Sequence, residues 1–377
     1  MAVAAQRPLT DADLLTDLTA LRRTVGEFAA AVAETERLRR RAIPKLGPAA
    51  ADWLLTDESL QQATPLPVAV HRAGRLAGIG VHDLTCSIGA DLAALLVGGG
   101  AAIGSDLDPV RARMAAFNLR ASGLPARVAV ADALTRTSRG LLGYADPARR
   151  ADGGRRITSV DTVPSVADLD RVHAARPPVL RLPPGIDYER LRRPGEVEIV
   201  SLDGSAREAV LWPPELATVA RRATVLASDG SRSQLTDADP DDIPTGPVPA
   251  ATQGLWLVDP DAAVVRAHLV RHYAARHGLT QLDPQLAYLV GPDRPAGIRA
   301  FRVLDAAPFT QAVVAGWLRR DGTGALEIKQ RGTSVVPDEL RVRLRPAMSR
   351  DRSATGTLVV ARIGNQPWAF WCRAASG

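Results

Sequence analysis

Four short apolar runs between residues 78 and 146 each end in an aspartate: "GIGVHD", "AAIGSD", "ARVAVAD" and "LLGYAD". Two helical stretches separate the first three, "GADLAALLVGGG", closed by its glycines, and "DPVRARMAAFNLRASG", ended by Gly123. Strand–helix alternation of this kind predicts an α/β fold, a doubly wound, Rossmann-like parallel sheet. "PVLRLPPG", "EVEIVSLDG", "AREAVLW" and "ATVLASDG" supply its later strands. Such a sheet binds ligands outside the carboxyl ends of its strands. One aspartate there is an ordinary turn or cap residue. Four at one edge, Asp83, Asp106, Asp132 and Asp146, predict a site.

The first strand runs into Asp83-Leu84-Thr85-Cys86-Ser87-Ile88-Gly89, small residues that lead to a helix. Asp106 lies 17 residues after Gly89, close to the spacing of about 20 at which a carboxylate takes both hydroxyls of a ribose. A dinucleotide would want G-x-G-x-x-G, so that its pyrophosphate can reach the helix N-terminus. This turn has Thr85 and Ser87 where those glycines would stand, and Asp83 at its start would repel a phosphate. A cofactor with a ribose, a cationic end and no phosphate suits the charges, and S-adenosylmethionine has all three properties.

The flanking regions differ in texture. Thr10, followed three residues later by Asp13, starts a helix, and Leu14, Leu18, Leu21, Val25 and Phe28 form one apolar stripe along it. A second helix carries "ETERLRRR" to Pro44, its arginines reading as a solvated face. Residues 1–64 are therefore expected to be a helical domain and 65–232 the α/β domain. Residues 230 to 253 are rich in Pro, Asp, Ser and Gly without periodicity, which places a linker at 233–250. Beyond it, helix "DAAVVRAHLVRHYAARHG", strands "GIRAFRVLD", "ALEIKQRG" and "GTLVVARIG", and helix "DELRVRLR" predict an α+β domain over 251–377.

Forty-seven basic against 41 acidic residues give a net charge of +6 and a pI near 9.9. That balance invites a polyanionic partner. No apolar run approaches the roughly 20 residues of a membrane helix. The start, "MAVAAQRPLTDADLL", lacks the basic and apolar segments of a signal peptide. Two cysteines, Cys86 and Cys372, make neither a disulfide framework nor a zinc ribbon. The expectation is a cytoplasmic protein with no membrane segment and no metal. His268 and His272 have the i, i+4 spacing of metal ligands, but no third ligand accompanies them, so they read as surface histidines.

"VHDLTCSIGADL", "IGSDLDP", "VAVADAL" and "YADPARR" resemble, in order and spacing, the motifs of class I S-adenosylmethionine-dependent methyltransferases. "QQATPLPVAVHRAGRL", "RLPPGIDYERL", "GEVEIVSLDG" and "LEIKQRGTSVVPDELRVRL" resemble a bacterial branch with a helical N-terminal region and a C-terminal THUMP-like domain. The resemblance covers the chain from around residue 35 to its end. It implies that Asp83 and Gly89 line the methionine end of S-adenosyl-L-methionine, with Thr85 and Ser87 in the same cofactor-binding turn, that Asp106 holds the ribose, and that Asp132 and Ala133 meet the adenine. Thr85 and Ser87 depart from the family's D-x-G-x-G-x-G turn. Asp146-Pro147-Ala148-Arg149 falls where amino-group methyltransferases carry an Asn- or Asp-Pro-Pro-aromatic tetrad. Asp146, Pro147 and Arg149 are then the implied catalytic residues, with Arg149 in place of the aromatic. Cys86 belongs to the cofactor turn and is not expected to act as a nucleophile.

Arg150, Arg155 and Arg156 follow the tetrad, where they would meet the phosphates of a polymeric substrate. In the last domain Lys329 and Arg331 alternate along a strand end, and Arg341 and Arg345 stand four apart on the next helix. These residues are the expected contacts to RNA, and methylation of an RNA base nitrogen is the expected reaction. The rival readings are methylation of a protein side chain or a small molecule, and a non-catalytic RNA-binding protein with a degenerate cofactor fold.

Overall fold

The computed structural model describes residues 2–149, 162–244, 246, 248–295 and 298–374. Two compact units divide the chain, Met1–Thr218 with Val225–Arg232, and Val219–Thr224 with Ser233–Gly377. The first unit opens with helices α1 (Ala2–Ala5), α2 (Leu14–Val25), α3 (Ala29–Leu46), α4 (Asp57–Gln62) and α5 (Leu66–Arg75). Gly26, at φ +60°, turns the chain between α2 and α3, which carries Phe28 off the expected apolar stripe and leaves it 63% exposed. The arginine run on α3 is only in part the solvated face the sequence suggests: Arg37 and Arg41 pair with Asp11 and Asp57 at the surface. Arg39 is buried and donates to the carbonyls of Trp53 (2.9 Å) and Asp52 (2.8 Å), and Arg40 donates to those of Ala5, Arg7 and Pro8. These guanidiniums satisfy carbonyls that short turns leave unpaired.

Strands β1 (Val81–Asp83), β2 (Ala102–Asp106), β3 (Val128–Val130) and β4 (Leu142–Ala145) run parallel, with α6 (Ala90–Val97) and α7 (Pro109–Ala121) as crossovers. A two-residue pair, β5 (Ala148–Arg149) and β6 (Thr162–Val163), lies outside this sheet. Arg150, Arg155 and Arg156 fall outside the described residues. After α8 (Val166–Val172), β7 (Val179–Leu182) joins β4 in parallel. Helix α9 (Tyr188–Leu191) leads to β8 (Glu196–Leu202) and β9 (Ser205–Trp212), and these depart from the parallel pattern. They form a hairpin, because Asp203 and Gly204 both take positive φ (52° and 76°) and supply a two-residue turn. With β10 (Arg221–Leu226) and β11 (Arg232–Thr236) the order is β11-β10-β8-β9-β7-β4-β1-β2-β3. The stretch expected to be linker from residue 233 is thus strand up to Thr236.

Helix α5 is fastened to the hairpin by charge. Arg72 Nη1 donates to both oxygens of the buried Glu208, at 2.6 and 2.7 Å. Arg75 Nη1 reaches Glu196 (2.6 Å) and Glu198 (2.7 Å) and lies over the Trp212 ring at 4.0 Å. His71 Nε2 stands 2.7 Å from Glu198 Oε1. Three acids inside apolar strands therefore meet three basic side chains along one helix.

The second unit builds β12 (Trp256–Val258), α10 (Ala262–Arg266), α11 (Val270–Arg276), β13 (Thr280–Gln281), β14 (Leu289–Gly291), β15 (Ala300–Pro308), α12 (Gln311–Arg320), β16 (Ala325–Arg331), α13 (Pro337–Leu344), β17 (Thr355–Ile363) and β18 (Gln366–Ala374). Its strands run β13-β14-β12-β15-β18-β17-β16. The single helix expected around residues 261 to 278 is two. His268 takes φ +57° between them, so it does not share a helix face with His272, and His272 is buried rather than on the surface. Among the described residues no helix is long and apolar enough to cross a membrane, and no cluster of three His, Cys, Asp or Glu could hold a metal.

Removing one partner of a buried ion pair leaves the other charge uncompensated, at about 3–5 kcal/mol. Glu208→Ala should therefore lower unfolding free energy by about that amount, read from urea denaturation. A loss under about 1 kcal/mol would mean that the Arg72–Glu208 pair does not hold α5, which would then rest on its apolar contacts and on the pairs of His71 and Arg75.

Candidate active site at the carboxyl edge of the sheet

Asp83, Asp106, Asp132 and Asp146 lie at or just beyond the carboxyl ends of β1, β2, β3 and β4. Asp83 is buried, and its Oδ1 accepts the Thr85 N–H at 3.3 Å. Asp106 binds the turn after β1, with Oδ2 accepting the Ser87 N–H at 2.8 Å and Oδ1 the Asp108 N–H at 2.9 Å. Each oxygen keeps a second lone pair for a ligand hydroxyl. Ser87 holds a left-handed φ of 47° against that anchor. Gly89, at φ +84°, cannot be replaced so easily, since a Cβ there would stand 3.2 Å from the Ala115 Cβ and 3.3 Å from its Cα. Asp132 is exposed and caps the Leu134 N–H at 2.8 Å, while Ala133 is buried beside it. Leu107, which sequence reasoning passed over, is 70% exposed directly after Asp106 and offers this edge an apolar face.

Asp146 is held from two sides. Its N–H donates to Thr85 Oγ1 at 2.7 Å, and its Oδ2 is paired with Arg181 Nη1. Arg181 lies on β7 opposite Val210 of β9, and Glu208, two residues along β9, shares that face. Arg181 Nε accordingly donates to Glu208 Oε2 at 3.1 Å. Glu208 carries Arg72, whose Nη2 sits 2.6 Å from Asp91 Oδ1. Asp91, in the first turn of α6, also accepts from Tyr144 Oη (2.8 Å) and Thr64 Oγ1 (3.2 Å). Pro147 is buried after Asp146, and Arg149 lies on β5.

Arg72, Asp91, Tyr144, Arg181 and Glu208 were not among the sequence candidates. A charge inside an apolar strand, as in "VLRL" and "REAVLW", is the signal that marks two of them.

Three carboxylates, Asp91, Asp146 and Glu208, share the two guanidiniums of Arg72 and Arg181, and a fourth, Asp83, is buried beside them. Burial, then the negative charge of Asp91, holds the Asp83 carboxyl well above the usual range. Burial also pushes Asp146 up; Arg181 opposes the rise, and Asp91 adds to it. Asp91 itself ends below its ordinary value, because Arg72, Arg181, Tyr144 and Thr64 together outweigh its burial. The edge thus carries more carboxyl groups than guanidiniums, a balance that favours a cationic ligand.

In the second unit, Lys329 Nζ and Arg331 Nη2 each reach Asp259, both at 2.9 Å, over the rings of Phe301 and Tyr288. Arg341 pairs with Asp338, and Arg345 is exposed just past the end of α13.

A doubly wound sheet with a tight glycine turn, a ribose-type acid on β2 and an acidic edge defines a nucleoside-cofactor enzyme of the Rossmann-like class. A protein of Mycobacterium tuberculosis, an uncharacterised S-adenosylmethionine-dependent methyltransferase, is 45% identical over 363 residues, which are 94% of this chain and 99% of that one. The crystal structure of a protein from Porphyromonas gingivalis W83 assigned as a methyltransferase has the same fold, with a TM-score of 0.68 and 19% identity over 97% of this chain and 99% of that one. The THUMP domain-like family matches residues 298–374. The chain belongs to the S-adenosylmethionine-dependent methyltransferases, and its cofactor is S-adenosylmethionine. The residues present fit that cofactor: Gly89 keeps the turn tight, Asp106 has free lone pairs, and the surplus of carboxylates matches a cation.

Asp106→Ala should weaken cofactor binding by about 1.5–3 kcal/mol, the value of hydrogen bonds to a charged group, measured by calorimetry. Unchanged affinity would remove Asp106 from the site. A cation at this edge favours the carboxylate form of Asp83, whose pKa is raised, so binding releases a proton there. Cofactor affinity should therefore climb as pH rises above the ordinary carboxylate range and level off once the raised pKa of Asp83 is passed. Asp83→Asn should flatten that climb. A slope that survives the substitution would assign the linkage to another acid.

Proposed function

We propose that this methyltransferase acts on a base nitrogen of RNA, with Asp146 as the group that receives the substrate's N–H. The observation that carries the reading is the pairing of an open acid with surrounding cations. Asp146 Oδ1 accepts no hydrogen bond among the described residues, and its side chain is 33% exposed. Close by, burial, then the charges of Arg181 and Arg207, press the Lys45 ammonium below its ordinary pKa. Lys45, Arg181 and Arg207 act on one another in this unit, and cations there suit a substrate that brings phosphates with its base. The THUMP-like match over residues 298–374 supports the same substrate class.

Bound at the acidic edge, S-adenosylmethionine supplies a methyl on a positively charged sulfur, which leaves as a neutral thioether when a nitrogen lone pair takes the methyl. The protein's part is alignment and proton handling. Thr85 holds the backbone of Asp146, Oδ1 accepts the amino N–H so that the lone pair points away from the carboxylate, and the same oxygen takes the proton as the new bond forms. Pro147 stiffens the turn. Arg149 offers a guanidinium plane where an aromatic would stack on a base.

Phosphate contacts are assigned to Lys45 and Arg207 near Asp146, to Arg150, Arg155 and Arg156, and to Arg341 and Arg345 in the second unit. Lys329 and Arg331 share Asp259, so that cluster brings one net positive charge rather than two.

With tritiated cofactor and total RNA from a strain lacking the gene, the wild type should label RNA in a form released by ribonuclease. Asp146→Ala should cut that transfer by about a hundredfold or more, with cofactor affinity within a few fold, because the group acts in the transition state and not in cofactor binding. Label in protein instead of RNA favours a side-chain substrate. Full turnover by Asp146→Ala would reduce Asp146 to a turn residue.

A further inference from the structure

The tetrad accounts for Asp146 but not for what holds it. Arg181 is far from the tetrad in sequence, and nothing in the motif calls for it. The parallel register pairs Tyr144 with Val179 and Ala145 with Leu180, so the next residue of each strand, Asp146 and Arg181, meets at the carboxyl edge. Arg181 Nη1 takes Asp146 Oδ2 and its Nε takes Glu208 Oε2. Glu208 is fully buried and is itself gripped through both oxygens by Arg72. The guanidinium is planar and doubly anchored, so it cannot turn away from Asp146 without abandoning a buried glutamate.

We infer that Arg181 is a positioning residue for methyl transfer: by holding Oδ2 it turns Asp146 so that Oδ1 is a single ionised acceptor on the open side. The inference rests on the reading of Asp146 as the acceptor. It adds a selectivity that an asparagine in the same place would lack. An ionised oxygen with no donor of its own accepts an N–H and can keep the proton, whereas it repels an atom that offers only a lone pair. The favoured substrate nitrogen therefore carries at least one hydrogen, as exocyclic amino groups do.

The other charged or titratable groups around Asp146 do not perform this task. Asp91 on α6, Asp83 on β1 and Glu208 on β9 are acids and favour its neutral form. Tyr144 is spent on Asp91. Arg72 on α5 is committed to Asp91 and Glu208. Arg181, by charge and by hydrogen bond, is the larger of the two cations that oppose the upward push of burial on this carboxyl, and Arg72 the smaller.

The test measures the Asp146 carboxyl directly, by carbon-13 NMR titration of the full-length protein, assigned by its loss in Asp146→Asn. Arg181→Gln should raise the titration midpoint by about one pH unit or more, and Arg181→Lys, which keeps the charge but not the fork, should raise it less. Arg181→Lys decides the matter if Arg181→Gln does not fold. Methyl transfer from tritiated cofactor into total RNA should show its acid limb moving up by the same interval, with cofactor affinity within a few fold. Lost melting temperature alone would accompany any structural role and counts for neither side. A midpoint and an acid limb that stay at the wild-type positions in the folded variants overturn the inference while leaving Asp146 in place. Wild-type transfer by Asp146→Asn overturns both. A wild type that labels no RNA ends the RNA reading, and the carboxyl titration still decides the role of Arg181.

Discussion

Burying a charge is costly unless an opposite charge meets it in good geometry, and this protein buries several at once. Asp91, Arg72, Glu208, Arg181 and Asp146 alternate in sign along one path, linking α6, α5, β9, β7 and the end of β4. None of these groups can leave without exposing its neighbour to an uncompensated field. The path explains why α5, which precedes the first strand, is in the same compact unit as the sheet. The buried pairs of Arg75 with Glu196 and Glu198, and of His71 with Glu198, fasten the same helix beside it. Thr64, just before α5, extends the same logic by donating to Asp91.

What the sequence made legible was local. Four strands ending in aspartate, a turn of small residues closing on Gly89, and an acid 17 positions later are patterns within one strand–turn–helix step. Each predicted residue lies at the expected strand end because strand direction alone decides that. The illegible part is long-range. Arg72 and Glu208 are separated by 136 positions, and no periodicity in either segment names the other. Arg39 shows the same limit. On a helix it reads as solvated, yet carbonyls of a later turn claim it. The break at His268 was hidden for a different reason. The apolar spacing on both sides is helical, and the interruption rests on a positive φ at a histidine, a residue enriched in that region yet far more often found in ordinary helix.

The hairpin of β8 and β9 lies between these cases. Asp203-Gly204 flanked by apolar runs is a strong local turn signal, but the strand–helix rhythm upstream favours one more parallel step. Tertiary need decides the outcome. Antiparallel pairing places Glu208 on the face of Arg181 and within reach of Arg72, where a parallel strand entering from the other end would reverse its residues and break that match.

Thr85 and Ser87 bear on whether the cofactor turn is degenerate. Glycine at those positions would let the backbone approach a ligand freely, and their loss invites the reading of a decayed site. The contacts argue the opposite. Ser87 keeps the left-handed conformation that a glycine would adopt, with its N–H on Asp106. Thr85 does what glycine cannot, since its hydroxyl accepts the N–H of Asp146 and ties the turn after β1 to the end of β4. Gly89, where a Cβ would crowd Ala115, is the one position of the three with no room for exchange, and it is the one retained. A decaying turn would lose residues without regard to such differences. Here the replacements follow space and hydrogen bonding position by position, and the turns after β1 and β4 are joined through a side chain that glycine does not possess.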